Sequence, residues 1–420
     1  MKSIPLSSAL LALVAVAAAC SGTHTTTGGF GTGDNNNGSG SGGDSGTSSG
    51  GSSDDASSPG NFGDDGGSRM PGNGCMYNDS TDHDGDGFSA VDGDCNDCDA
   101  NANPGAFDVP KNMVDEDCDG TPDNEPTACD TSLTIDSAVG TDAAKAMGLC
   151  RTTTEAAQGK QRTWGVIGAS YVACDGSPPP SSANFPLGHG LLAKLGTNKP
   201  LEGAHMLALS SGTARDPSDP GYQDVGGFDK GYTCTPPTGY PKESPACPGV
   251  TTGEPHDCAA LRLVVRVPTN AKSFTYNENF FTYEFPSYIC SEFNDFFVAM
   301  LTPKLAMLPD GNIAFDQAGN PISVNNSLLQ VCSPQSAGGK TFACPLGPST
   351  LSGTGFESHA ATGWLKTQAP VDTLKGKDIT MMFAVWDSGD GVLDSSVLID
   401  NWVWSVDPAS GATTVPQPPQ

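Results

Sequence analysis

The chain has 420 residues, with 48 acidic against 20 basic side chains, 14 cysteines and a formal net charge of −28. That charge argues against nucleic acid and anionic membrane surfaces as partners of the body of the protein, and it suits divalent cations. It is also uneven, since residues 79 to 123 carry 14 acidic side chains and one lysine.

Lys2 is followed by an apolar run from Leu10 to Ala19, which ends in Ala17-Ala18-Ala19-Cys20. Spanning a membrane needs about 20 apolar residues, so residues 1–19 read as a secretory signal. The cysteine directly after small residues resembles the lipobox of bacterial lipoproteins. The resemblance implies that Cys20 is diacylated and becomes the mature N-terminus. Ala in place of Leu three residues before the cysteine departs from the commonest pattern, and simple cleavage near Ala19 is the alternative. Acyl chains contribute about 0.8 kcal/mol per buried methylene, so several would anchor the protein firmly. Ser21 stands where an inner-membrane retention signal has Asp, which implies the outer membrane or cell surface. Residues 20–74 are Gly, Ser, Thr, Asn and Asp with almost no apolar content. Such a stretch cannot offset its ordering entropy and is expected to be a disordered linker. Within it, Gly46-Thr47-Ser48-Ser49-Gly50 has the form of a hydrolase nucleophile elbow, but it follows no strand and precedes no helix, so it reads as chance.

Residues 75–127 form an acidic, cysteine-bearing module. In Asp82-His83-Asp84-Gly85-Asp86-Gly87-Phe88, carboxylates stand at positions 1, 3 and 5 of a loop with Gly at 6. Alternate oxygens then converge on one hard cation, and the carbonyl of Phe88 is a fourth candidate ligand. An EF-hand would close with Glu at position 12. Here that position is Gly93 between Asp92 and Asp94, so closure must come from a shifted register, another loop or water. A second copy follows at Asp115-Glu116-Asp117-Cys118-Asp119-Gly120, with Asp123 at position 9. Between the copies lie Gly93-Asp94-Cys95-Asn96-Asp97 and Asn103-Pro104-Gly105-Ala106. In this order the elements from Asp82 to Asp123 resemble the MopE-type metal-binding motif of bacterial surface proteins. The resemblance implies a small metal-holding module with Cys95 and Cys118 bridged, and Cys98 is then additional, with Cys75 as a possible partner. The family takes its name from a copper-associated protein, yet carboxylate loops favour Ca²⁺, and copper seeks imidazole or thioether. His83 is the module's one histidine. Calcium is therefore the expected ion and copper is not, with metal-assisted folding the simplest role.

Residues 128–407 have an ordinary globular composition. A short helix is expected over Ala143 to Leu149, capped by Thr141 or Asp142. Leu261 to Val267 alternates apolar residues, and 280–285, 295–301, 379–386 and 397–406 are rich in aromatic and β-branched residues. Short strands with frequent turns predict a mainly β domain, a β-sandwich of jelly-roll type. Residues 211–257, rich in Pro, Gly and Cys, read as a long insertion pinned by disulfides, with Cys234, Cys247 and Cys258 as candidates. Residues 408–420 read as a disordered tail without a sorting signal, leaving the N-terminal lipid as the expected anchor. Apart from Cys20, thirteen cysteines remain, so at least one is unpaired or bonds another chain.

Phe280 to Cys290 with Phe293 to Val298, then Thr362-Gly363-Trp364-Leu365, then Phe383 to Asp390 running on to Asn401, together resemble the choice-of-anchor L domain of exported bacterial proteins. The resemblance implies surface display and no chemistry. Val397-Leu398-Ile399-Asp400-Asn401 also looks like the last strand of jelly-roll carbohydrate-binding modules, where the Asp ligates a structural Ca²⁺. A second metal site is therefore expected from Glu284, Asp295, Asp387, Asp390, Asp394 and Asp400. The plainer alternative is that these acids cap turns and solvate a hairpin.

No residue set points to catalysis. The six histidines are scattered without paired metal spacing, no phosphate-cradling loop follows a strand, and Glu284, Glu292 and Glu357 are glycosidase candidates only generically. The expected function is non-catalytic: a lipid-anchored, calcium-stabilised surface protein for adhesion, ligand binding or envelope architecture. Its partners would be a membrane through the lipid, divalent cations, and a glycan or surface-protein ligand. A carbohydrate-binding module and a copper-scavenging protein are the alternatives. Trp364, Trp386, Trp402 and Trp404 could stack sugars, although tryptophans at strand positions are more often core.

Overall fold

The computed structural model describes residues 77–124, 127–326 and 328–418. The signal segment, Cys20, Cys75 and the expected linker lie outside the described residues. Where β-branched and aromatic residues alternate, the chain is extended. The strands are β1 Gly165–Val172, β2 His189–Leu192, β3 Met206–Ser210, β4 Pro255–Arg266, β5 Ser273–Thr282, β6 Phe296–Thr302 and β7 Ile322–Ser323. After these come β8 Gln335–Ala337, β9 Lys340–Phe342, β10 Ala360–Ala361, β11 Leu365–Pro370, β12 Asp378–Ser388, β13 Ser395–Ser405 and β14 Thr413–Pro416.

Two antiparallel sheets stack face to face. One has the order β1-β4-β12-β6-β7, and the other β14-β11-β5-β13-β3-β2, with β10 also paired to β5. Alternation decides which side chains meet between them. Leu261, Leu263 and Val265 of β4 and Ile379, Met381, Phe383 and Val385 of β12 share one core with Phe274, Tyr276 and Phe280 of β5 and Val397 and Ile399 of β13. The fold is thus a mainly β sandwich. Intervening residues face outward but are covered as well. Val172, Cys258, Ala260, Val298, Ala384 and Trp386 pack beneath Tyr240 of the insertion. Trp386, Trp402 and Trp404 are buried. Phe274 stacks on Trp402 at 4.3 Å between ring centroids, so these tryptophans serve the core.

The acidic module packs directly onto the sandwich. Asn270 donates to the carbonyl of Phe107 at 2.7 Å, Thr269 Oγ1 donates to Asn103 Oδ1 at 2.7 Å, and Phe107 enters the main core. A side chain at Gly105 would meet Thr269 Cγ2 at 2.9 Å and the Phe88 ring at 3.1 Å, so glycine is what lets the two surfaces close.

Several expectations shift. The strand expected over 280–285 ends at Thr282, because the chain turns there to deliver Glu284 to the sheet edge. The helix is Gly140–Lys145, beginning earlier and ending before Leu149, with Val139 at the N-cap and no side-chain capping bond. Part of the expected tail is ordered: β14 pairs with β11, and Thr414 is buried with its hydroxyl 2.7 Å from that of Thr367. In the insertion, Cys247 bonds Cys290, while Cys234 and Cys258 are free. Among the described residues, no helix is long and apolar enough to cross a membrane.

Candidate metal centres

Three carboxylate clusters emerge. The first is built by the Asp82 loop, whose turns are held by its own side chains. Asp82 accepts from the N–H groups of Gly85 at 2.6 Å and Gly87 at 3.0 Å, and Asp86 Oδ1 accepts from that of Phe88 at 2.8 Å. Gly85 and Gly87 take φ of 84° and 97°, the left-handed region that glycine enters freely. The loop brings Asp82, Asp84 and Asp86 together, and Asp84 also meets Asp94 and Asp97, with ligand atoms within 4.8 Å in each set. Asp84, Asp94 and Asp97 each hold a buried oxygen that no donor reaches. Burial, and then the neighbouring carboxylates, push Asp86 up to about 7 and Asp94 up to about 6. The Phe88 side chain is buried beneath the loop. Asp92 does not join the cluster; it accepts a 2.7 Å bond from Ser89 Oγ and ends a short 3-10 turn.

The second loop is built differently. Asp115 and Asp117 converge with Asp108, a residue the spacing did not single out. Asp108 accepts from the N–H groups of Glu116, Asp117 and Asn124, and Asp115 accepts from those of Asp119 and Gly120. Arg151 bonds Asp117 at 2.5 Å. Asp119 is tied to Asn124 at 2.7 Å, and Asp123 accepts from the N–H groups of Asn112 and Met113, so both brace the loop from outside the cluster. The disulfide Cys95–Cys118 links the two loops, with Cα atoms 5.6 Å apart. Cys98 is also disulfide-bonded.

The third cluster lies in the sandwich. Glu284 follows β5, Asp295 precedes β6 and Asp387 lies near the end of β12. Trp386 pairs with Phe296, so continuing that register by one residue sets Asp387 opposite Asp295. Glu284, Asp295 and Asp387 are at most 1% exposed and their oxygens converge within 4.8 Å. Asp295 accepts the Ser388 N–H at 2.9 Å, and Asp387 accepts that of Gly391 at 3.1 Å. One oxygen of each acid has no donor, and neither do the hydroxyls of Ser388 and Ser395. Burial first, then mutual repulsion, push Glu284 up to about 9 and drive Asp295 strongly upward. Burial chiefly pushes Asp387 up to about 7.

The remaining three candidates stand apart. Asp390 is exposed and accepts the Val392 N–H at 3.2 Å. Asp394 is buried against Gly212, where burial raises its carboxyl and Lys230 counters. Asp400 clamps backbone instead, accepting from Leu201 N–H and Asn401 N–H, both at 2.6 Å. Its position on β13 opposite Asn277 is five residues, roughly 16 Å, from that of Ser395 opposite Thr282.

The donor chemistry of the first and third clusters fits a hard divalent cation. The converging groups are carboxylates, apart from the His83 imidazole that meets Asp79 and Asp97 at the rim of the first cluster, and an unpartnered oxygen in a low-dielectric site carries a desolvation cost that a cation would offset. No protein-family model matches this chain, and no curated protein matches it.

Proposed function

We propose that this is a non-catalytic, calcium-stabilised binding module, exported and held at the cell surface by a lipid on Cys20. The single observation that carries the calcium reading is the Glu284–Asp295–Asp387 triad. Three buried acids with an unpartnered oxygen each make a poor way to close a sheet edge, since like charges directly opposite are destabilising. A Ca²⁺ ion would neutralise them and tie the ends of β5, β6 and β12. The Asp82 loop with Asp94 and Asp97 would hold a second ion. The lipobox, the MopE-type motif and the choice-of-anchor L resemblance support display at the outer membrane or cell surface, for adhesion, ligand capture or envelope architecture. Thermal unfolding with calcium and with chelator tests this reading. Calcium is expected to raise the midpoint, and an unchanged midpoint would remove it. Cys20→Ala is expected to move the protein from the envelope to the soluble fraction.

A glycan ligand is a second reading, favoured by one surface feature. Trp364 is only half-buried, unlike Trp386, Trp402 and Trp404, and it lines a cavity of about 620 Å³ with Asn279, Asn198 and Lys199. The side-chain oxygen of Asn279 is buried without a donor. An aromatic face beside amide and ammonium groups suits a sugar ring. A glycan array that shows no binding weakened by Trp364→Ala would end this reading.

A further inference from the structure

Of the twelve described cysteines, nine are disulfide-bonded and three are free: Cys174, Cys234 and Cys258. These three come together. Cys258 lies in β4, Cys174 stands two residues beyond β1, and Cys234 belongs to the insertion. The β1–β4 register pairs Val172 with Ala260, so its continuation sets Cys174 opposite Cys258. The insertion is fastened beside them by Asp257, which accepts the N–H groups of Lys230 and Tyr232, and by the Cys234 N–H donating to Pro255 O at 3.0 Å. All three side chains belong to one packed cluster, with Cys234 partly buried against the other two.

Their accessibility is graded. Cys174 and Cys258 are fully buried, and Cys174 Sγ donates to Val385 O at 3.4 Å. Cys234 is partly exposed and lines a cavity of about 540 Å³. Around that cavity stand Asp175, Glu254, Ser177 and Thr233 with no basic side chain among its lining residues, and both acids are exposed. Three thiols in one cluster, one at a mouth and two behind it, exceed what a single structural disulfide needs.

We propose that Cys234, Cys258 and Cys174 form a thiol–disulfide exchange site that takes small cationic or neutral disulfides from this cavity. Cys234 Sγ attacks one sulfur of R–S–S–R, the S–S bond breaks, and R–S⁻ leaves with the proton that Cys234 gives up. Cys258 Sγ then attacks Cys234 Sγ and expels the second R–S⁻, leaving a Cys234–Cys258 disulfide. The two protein sulfurs are oxidised by two electrons, and R–S–S–R is reduced to two thiols. Cys174 finally attacks Cys258 Sγ, moving the disulfide to the buried Cys174–Cys258 pair and restoring Cys234 as a thiol. This last step is redox-neutral.

The surroundings favour the second step over the first. Hydrogen bonds from Cys174 and then Cys234, with the nearby charge of Lys230, hold the Cys258 thiol below its ordinary range, which favours the thiolate that resolves the Cys234 adduct. The Cys234 thiol, which its bond with Cys174 lowers, is pushed up on balance by its bond with Cys258 and by burial, so its attack is the slow step. Lys230 is itself buried, with Nζ 2.9 Å from Ser210 O. The two rim carboxylates favour positive over negative reactants.

The test uses the full chain with these three thiols reduced and the other disulfides intact, checked by native thiol titration and peptide mapping. One equivalent of cystamine is expected to release two equivalents of cysteamine. It should leave a Cys174–Cys258 disulfide and keep Cys234 open to alkylation. Cys174→Ser should stop at Cys234–Cys258, and Cys174→Ser with Cys258→Ser should stop at a stable Cys234–cysteamine adduct with one equivalent released. A rim variant, Asp175→Asn with Glu254→Gln, leaves the buried sulfurs untouched. At low salt it should lose several-fold in rate toward cystamine and not toward neutral hydroxyethyl disulfide. A persistent cystamine adduct on the unaltered chain, release of a single equivalent, or an unchanged cystamine rate in the rim variant would overturn the proposal.

Discussion

The loops that begin at Asp82 and Asp115 share an alternating-carboxylate pattern ending in glycine, yet they solve the problem of crowded negative charge in opposite ways. In the second, backbone N–H groups fill the oxygens of Asp108 and Asp115, and the Arg151 guanidinium sits on Asp117. In the first, Asp84, Asp94 and Asp97 keep buried oxygens that no donor reaches. One loop carries its cation as a side chain supplied by the sandwich domain, and the other, on the proposed reading, would take a metal ion. The spacing of acids in a sequence therefore marks where charge gathers, and the neighbouring fold decides how it is neutralised. The Glu284–Asp295–Asp387 triad belongs with the first loop. It is more deeply buried and has no arginine or lysine ion pair among the described residues.

Four perturbations would break or sharpen that contrast. The largest effect is expected from Arg151→Ala. The Asp117 side chain is 3% exposed, so losing its partner leaves a buried charge unpaired and should destabilise the protein by about 3–5 kcal/mol. If the second loop then behaves like the first, calcium will restore part of the loss in a denaturant titration. Next is Asp295→Asn. The parent chain should gain about 2.7 kcal/mol at calcium a hundredfold above its dissociation constant, or about 4 °C in midpoint for a body of this size. The variant should lose most of that gain in differential scanning calorimetry.

Glu278 supplies a control, being a buried acid outside every cluster whose one hydrogen bond comes from Thr367 Oγ1 at 2.6 Å. Burial pushes its carboxyl up to about 8 from an ordinary 4.5. Between those values the unfolded chain has lost its proton and the folded chain still holds it, so stability falls as pH rises through this window. The fall is at most about 1.4 kcal/mol per pH unit. Glu278→Gln should flatten that slope in pH-dependent denaturation and leave the calcium response unchanged. The smallest effect, about 1 kcal/mol, is expected from Asp123→Asn, which weakens two backbone bonds. Its calcium binding should match the parent, because Asp123 braces its loop from outside the cluster.

The fold was largely legible because it rests on local pattern. Alternation in 261–267, and the aromatic and β-branched content of 379–386, mark strands that the structure bears out, and buried tryptophans followed from their strand positions. What escaped depended on contacts distant in sequence. Asp108 has no motif around it and enters the second cluster only because the chain folds back on Glu116. Asp400 looked like a ligand from its place in a strand, but Oδ2 accepts from the backbone N–H groups of Leu201 and Glu202, and Oδ1 from that of Asn401. Asp295 and Asp387 stand 92 positions apart, and only the register of β6 with β12 sets them face to face. Thr414 was hidden in a Pro- and Gln-rich stretch whose composition suggested no strand. The odd count signalled at least one unpaired cysteine, but not that three are free, two of them expected in disulfides, nor that they meet.

The most direct measurement is a calorimetric titration of the metal-free chain with Ca²⁺ and, separately, Cu²⁺. The account predicts two calcium ions per chain, one lost in Asp295→Asn and the other in Asp84→Asn, with copper bound more weakly than calcium. An unchanged calcium isotherm in Asp295→Asn, or tighter binding of copper, would contradict it.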